Sequence, residues 1–271
     1  MSRDRAECGR LIQLLPKVAE SLDQYQKFEN GDAMCRAESW QSALAKPLPI
    51  RGVGIEGVLG ELVQWVIPNG SQIPNPGCTA FITTGATTIG ALTSLAGAVA
   101  APQRIGLTAF HFLEEQSLDW LARMFGLPAE MKGLYSSGGS VANLVALGAA
   151  RQAAFEARGV DPAVSGISLP CRIYATAECH HSVQRAAAVL GMGRASVCRI
   201  ETDGQGRMSV EALRRQLTKD ESQDVVRVAV VANAGSTNRG AIDPLRAIGQ
   251  TCLDHGLWFH VDGAYGLPGV L

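Results

Sequence analysis

"VRVAVVANAGSTNRGAIDPLRAIGQTCLDHGLWFHVDGAYG", residues 226–266, decides the fold. A run of Val and Ala up to Asn233 reads as a buried strand, and a small-residue loop follows it. Asp243 then caps a helix that Pro244 opens, and "LWFHVD" returns as a second strand. Strand, helix and strand in that order make a crossover unit of a parallel sheet. The second strand runs through apolar and aromatic residues to Asp262 and then breaks into small residues. A carboxylate in such a setting is costly unless water or a cation meets it. Two readings stand side by side: Asp262 caps the next turn, or it waits for a protonated ligand.

The same alternation extends upstream. "GLYSS" (133–137) precedes a helix from Val141 to about Arg158; "CRIYAT" (171–176) precedes one from Ser182 to Leu190; "SVCRI" (196–200) precedes one from Val210 to about Leu217. The expectation is an α/β fold, a mostly parallel sheet with helices on both faces, whose ligand sits at the carboxyl ends of the strands. Ahead of it the pattern is helical. Leu11, Leu14, Leu15, Val18, Leu22 and Tyr25 share one helix face, with Pro16 a disturbance. Ile55 to Val66 make a second stripe, "IPNGSQIPNPG" is a loop, a small-residue helix covers 86–101, and another covers 112–125. Residues 1–104 are thus an N-terminal helical segment and residues 105–271 an α/β domain.

Composition narrows the function. The 271 residues carry 24 Lys plus Arg against 25 Asp plus Glu, so no basic face for nucleic acid or an anionic membrane is expected. The apolar region near 89–101 is too short to span a bilayer. The seven cysteines include no CxxC pair, and "MSRDRAECGR" lacks the apolar core of a signal peptide. A soluble, cytoplasmic protein is expected.

The residues after the strands carry the chemistry. In "SSGGSVAN", Gly138 and Gly139 allow close backbone approach and Ser140 stands at a helix start, where free N–H groups attract an anion. The bland alternative is a glycine turn with a serine cap. "AECHHSV" puts His180 and His181 ahead of a helix, where a ring can lie over a flat ligand; with no second cluster at zinc spacing, no metal site is expected. "NAGSTNRGAID" offers Ser236 and Thr237, and Asp262 ends the series. Phosphate cradle, stacking histidine, hydroxyl loop and carboxylate together suit pyridoxal 5'-phosphate, whose ring nitrogen stays protonated beside a carboxylate.

At "SSGGSVANLVALGAAR", "ECHHSVQRAAAVLGMG", "NAGSTNRGAIDPL" and "LWFHVDGAYG" the chain resembles the group II pyridoxal-phosphate-dependent amino-acid decarboxylases, the relatives of aromatic-amino-acid and glutamate decarboxylases. "NPGCTAFITTGATTIGALTSL" resembles their substrate-loop region. The resemblance implies a fold-type I transferase-like architecture, a homodimer, and decarboxylation of an L-amino acid to the amine and carbon dioxide. It implies Gly139 and Ser140 on the phosphate, His180 on the ring, Ser236 near the phenolic oxygen, Asp262 on the ring nitrogen, Ala264 beneath the ring, and Phe81 and Thr84 facing substrate. His181 and His260 receive no catalytic role.

One departure stands out. The resemblance puts the cofactor-bearing lysine beyond Asp262, just after a histidine, and Lys17, Lys27, Lys46, Lys132 and Lys219 match no such context. A sequence truncated within the fold, and inactive alone, is the expectation. Another fold-type I activity (an aminotransferase or carbon–sulfur lyase) and a non-catalytic, cofactor-binding or dimer-forming relative remain alternatives.

Overall fold

The computed structural model describes residues 11–81 and 85–271. The chain divides into two compact units, Met1–Ala101 and Pro102–Leu271. The first holds α1 (Leu11–Tyr25), α2 (Ala37–Leu44), α3 (Gly54–Glu61) and α4 (Thr88–Ala100). Helix α1 runs through Pro16, and α3 continues as a π turn over Leu62–Val66. Thr87 caps α4 by accepting the Gly90 N–H at 3.2 Å, and Ala101 ends it in the left-handed conformation. The four helices contain no buried residue.

The second unit begins with α5 (Ala109–Met124), opened by a reciprocal box between Thr108 and His111. Then come α6 (Gly139–Glu156), α7 (Pro162–Ser165), β1 (Cys171–Thr176), α8 (Ser182–Val189), β2 (Val197–Ile200), α9 (Val210–Glu221), β3 (Val226–Asn233), α10 (Leu245–Asp254) and β4 (Trp258–Asp262). The strands form one parallel sheet in the order β2-β1-β3-β4. Alternate side chains go to opposite faces. Ile173, Ala175, Ala229 and Val231 pack with Leu147 and Phe155 of α6 and Val183 and Ala187 of α8. Tyr174, Val230 and Ala232 pack with Leu213 and Leu217 of α9 and Ile248 and Cys252 of α10. Two cores on one sheet make the doubly wound arrangement expected from the alternation. A register shift between Arg172 and Ile173 lets Val228 join the first face together with Ala229.

Two local expectations differ. "GLYSS" forms no strand: Leu134 and Tyr135 are exposed, and no described strand runs beside them to complete a ladder. Asp243 does not cap α10, which starts after Pro244 without a side-chain cap. Its buried carboxylate instead accepts the backbone N–H groups of Asn233 and Met208, both at 2.7 Å, tying the end of β3 to the β2–α9 connection. Those two buried donors outweigh a cap that water can replace.

Candidate active site

The strand order fixes where ligands can bind. From β1 the chain crosses to β2 on one side, and β3 then lies on the other side of β1. The loops after β1 and β3 therefore diverge, leaving a crevice at the carboxyl ends. Glu178 of the first loop and Arg239 of the second approach to 3.7 Å across it. Beyond β3, the β4 end packs backbone against backbone: a Cβ on Gly266 would sit 2.1 Å from the Ala234 carbonyl oxygen. Only glycine fits there.

Asp262 pairs in register with Asn233, and His260 with Val231, so His260 and Asp262 face the layer of α6 and α8. Asp262 is half-buried. Its Oδ2 accepts from Asn143 Nδ2 at 3.1 Å and its Oδ1 from the Ala264 N–H at 3.3 Å. The second bond is the turn cap weighed in the sequence; the first is a tertiary contact. Asn143 belongs to the buried stripe of α6, four residues before Leu147, and is 6 % exposed. Its Nδ2 also donates to Ser182 Oγ at 2.8 Å, and its Oδ1 faces His260 Nε2 at 2.8 Å. Ser182 Oγ lies 2.7 Å from His180 Nδ1. Burial lowers the His260 pKa against the opposing charge of Asp262. Burial, then Asp262, raises the Cys179 thiol to about 11, so this neighbouring sulfur stays a thiol at neutral pH.

His180 and Asp262 thus meet in one hydrogen-bonded group through Asn143 and Ser182. His181, given no role in the sequence, stacks obliquely on His180 with ring centres 4.0 Å apart. Gly139 and Ser140 are exposed in the first turn of α6, where helix geometry leaves the N–H groups free. Gly138 precedes them at φ 145°, a conformation that favours glycine. Ser236 is only 2 % exposed and is folded into its own loop, its Oγ accepting the Ala241 N–H at 3.2 Å. Ala264 is exposed. Phe81 lies in the first unit, exposed and at φ 64°. Thr84 falls outside the described residues. Asn143 and the Ser182 side chain join the group although sequence reasoning gave them no part in it. His260, read from the sequence as a structural neighbour on the strand face of Asp262, lies on that face and bonds Asn143. The signal available for Asn143 was a polar residue breaking an apolar helical stripe.

The residues fit a flat, anionic, nitrogen-protonated ligand. A carboxylate offers about four acceptor positions, and protein donors take two of those on Asp262. The free N–H groups at the start of α6 suit a phosphate. Lys17, Lys27 and Lys46 bond Glu56, Gln24 and Glu61 within the first unit, and Lys219 lies in the last turn of α9, next to Asp220, which bonds Arg172 and Tyr174 of β1.

An open parallel sheet that presents a carboxylate, a histidine pair and a glycine-led helix start at the carboxyl ends of its strands makes this a doubly wound α/β protein with residues that fit a flat, anionic cofactor. The pattern described as "Pyridoxal-dependent decarboxylase conserved domain" matches residues 40–269, and the chain belongs to that family. It is 42% identical over 159 residues to an aromatic-L-amino-acid decarboxylase of Bacillus atrophaeus, covering 59% of this chain and 31% of that protein. It is 34% identical over 227 residues to an L-2,4-diaminobutyrate decarboxylase of Rhizobium meliloti (strain 1021), covering 81% and 43%. The glutamate decarboxylase domain of a diaminobutyrate-pyruvate transaminase and L-2,4-diaminobutyrate decarboxylase from Vibrio parahaemolyticus superposes with TM-score 0.84 at 22% identity, over 94% of this chain and 58% of that one. The chain spans well under two thirds of the proteins it matches. Among the described residues, no helix is long and apolar enough to cross a membrane.

Proposed function

We propose that residues 105–271 hold pyridoxal 5'-phosphate, and that the protein they belong to decarboxylates an L-amino acid to the amine and carbon dioxide. The observation that carries this is Asp262, a half-buried carboxylate anchored on both oxygens with acceptor capacity to spare. When bound, pyridoxal phosphate supplies a ring that takes up the electron pair left at Cα as the carboxylate departs. Asp262 meets the ring nitrogen and favours its protonated form. His180 would stack on the ring, and His181, which packs against His180, is given no catalytic role. Gly139 and Ser140 offer N–H groups to the phosphate. Ser236, whose Oγ accepts the Ala241 N–H, would lie near the cofactor's phenolic oxygen, and Ala264 would stand beneath the ring. Family membership and the relatives' names support the reading.

Residues 1–104 would supply the substrate-loop region and dimer contacts, Phe81 and Thr84 being the residues that the family resemblance assigns to substrate. Exposed Ile12, Val58, Ile89 and Val99 offer apolar surface to a second copy. The six described cysteines are all free, which suits the cytoplasm.

The test is a titration of the 271-residue chain with pyridoxal phosphate, read by absorbance. Wild type should bind reversibly, and Asp262→Ala should bind more weakly. Borohydride reduction followed by peptide mapping should find no single labelled lysine; stoichiometric cofactor fixed on one lysine would overturn the assignment of the site. In the whole protein, carbon dioxide release is assayed from aromatic, acidic and diamino acids. Asp262→Asn keeps the shape and should lose most of the rate. Near wild-type kcat in that variant would remove Asp262 from the ring nitrogen.

A further inference from the structure

Asn143 has a chemical asymmetry that its surroundings resolve. A primary amide has a donor end and an acceptor end of nearly equal shape, so contacts must decide which way it points. An ionised carboxylate only accepts. The end of Asn143 facing Asp262 is therefore the NH2 group, and it reaches Oδ2 at 3.1 Å and Ser182 Oγ at 2.8 Å. The carbonyl end then faces His260 Nε2 at 2.8 Å, so this nitrogen carries the hydrogen. Ser182 Oγ accepts from Asn143, which leaves its own hydrogen to donate. The acceptor in reach is His180 Nδ1, at 2.7 Å. The Ser182 backbone N–H points at the same nitrogen, at 3.3 Å. Two donors converge on one lone pair.

We propose that Asp262 sets the tautomer of His180 through Asn143 and Ser182. The donors run in one direction: His260 Nε2–H to Asn143, Asn143 to Asp262 and Ser182, and Ser182 to His180. His180 keeps its lone pair on Nδ1, turned toward Ser182, and presents Nε2–H as its ring donor. Asn143 and Ser182 are positioning residues: neither needs to touch a ligand, and each acts through His180 or Asp262. The buried location of Asn143 and Ser182, with the His260 ring half-buried beside them, shields the chain of bonds from water, which would otherwise satisfy either amide orientation. What the arrangement does for a bound cofactor rests on the function proposed above: one amide would fix the two groups that meet the ring, His180 over its face and Asp262 at its nitrogen, in a common frame. The tautomer itself does not depend on that reading.

The experiment is long-range 1H–15N correlation of histidine side chains in the 15N-labelled 271-residue chain, without cofactor. Wild-type His180 should show a pyridine-like Nδ1 and a pyrrole-like Nε2, and His260 a protonated Nε2. Ser182→Ala removes the hydroxyl link, and Asn143→Leu removes the amide. In each, the two nitrogen resonances of His180 should move toward one another as both tautomers become populated. Asp262→Asn retains the shape but can offer either end to Asn143, so it should scramble His260 and His180 together. His255, bonded to Glu221 away from the site, should stay unchanged in all three. If Asn143→Leu does not fold, the milder Ser182→Ala and Asp262→Asn decide. A protonated Nδ1 on wild-type His180, or an unmoved His180 in the folded variants, overturns the proposal. Titration with pyridoxal phosphate separates the two ideas: a fixed tautomer without cofactor binding sinks the functional reading alone, and cofactor binding with a mobile tautomer sinks this one alone.

Discussion

In the first unit, the α1 stripe of Leu11, Leu14, Leu15, Val18 and Leu22 repeats at helical period, yet each of these side chains keeps contact with solvent. In the second, Leu147 and Ala150 of α6 have the same spacing and are fully buried. Both stripes specify a helix and the direction of its apolar face. The difference lies in the partner layer. A parallel sheet presents two flat apolar faces, and a helix laid on either removes its whole stripe from water, at about 1.5–3 kcal/mol for each large side chain. Among the described residues, the helices of the first unit have no sheet to lie on and offer one another no such face. Periodicity therefore reports orientation, and burial needs a second layer.

The comparison breaks most readily at Phe155 of α6, fully buried against the sheet. Phe155→Ala should cost about 3–5 kcal/mol in urea unfolding of the second unit, because the surrounding helices cannot close the cavity. A loss below about 1 kcal/mol would mean that this core is far looser than its burial implies.

Next comes Asp220, buried in α9. It accepts from Arg172, from the Tyr174 hydroxyl at 2.8 Å and from Gln216 at 2.9 Å. Asp220→Asn should cost roughly 3 kcal/mol, since it leaves Arg172 and Tyr174 beside a group that cannot satisfy both. Burial alone would raise the Asp220 carboxyl, but the bonds from Gln216, Tyr174 and Arg172 outweigh it and hold it below the usual range. Its contribution is therefore present above the ordinary carboxylate pKa, near about 4, and is lost as pH falls through the depressed value. Burial, then Asp220, pushes Tyr174 the other way, above the ordinary tyrosine range. That contribution is present below about pH 10 and is lost as pH rises beyond it. Thermal melts of the second unit should thus fall at both ends of the pH scale. Asp220→Asn should flatten the acid limb; an unchanged acid limb would remove the carboxylate from the account.

At the site, His180→Ala in the whole protein should slow turnover more than His181→Ala, because Ser182 anchors the first ring while the second is exposed behind it. The reverse ranking of kcat would exchange their roles. The smallest effect belongs to the first unit: Ile12→Ala, at a residue 80% exposed, should shift stability by no more than about 0.5 kcal/mol. A larger loss in dilute solution would show that something covers α1, and dependence of that loss on protein concentration would identify a second copy.

Much of this was legible in the sequence. "CRIYAT", "VRVAVVAN" and "LWFHVD" became β1, β3 and β4, and the helices between them start within a few residues of their expected positions. "GLYSS" has the composition of a strand but not the neighbour, and a lone extended segment has no ladder to hold it. Asp243 has the sequence position of a cap, but the buried N–H groups of Asn233 and Met208 claim its carboxylate. Among the candidate residues, Asp262 and His180 were visible because one ends β4 and the other follows β1, and Gly139 and Ser140 because glycines lead into the start of a helix. Asn143 was not, because its partners Asp262 and His260 lie 119 and 117 residues away.

The sequence by itself determined the alternation of strand and helix, the two apolar faces of each strand, and the placing of polar residues at strand ends. Those are properties of neighbours in the chain, set by backbone propensity and by periods of 2 and 3.6 residues. Only the tertiary structure decided the strand order, and with it the switch point between β1 and β3, and only it decided which carboxylate takes which donors. A buried polar group must find its hydrogen bonds wherever the fold brings them, and sequence distance carries no information about that.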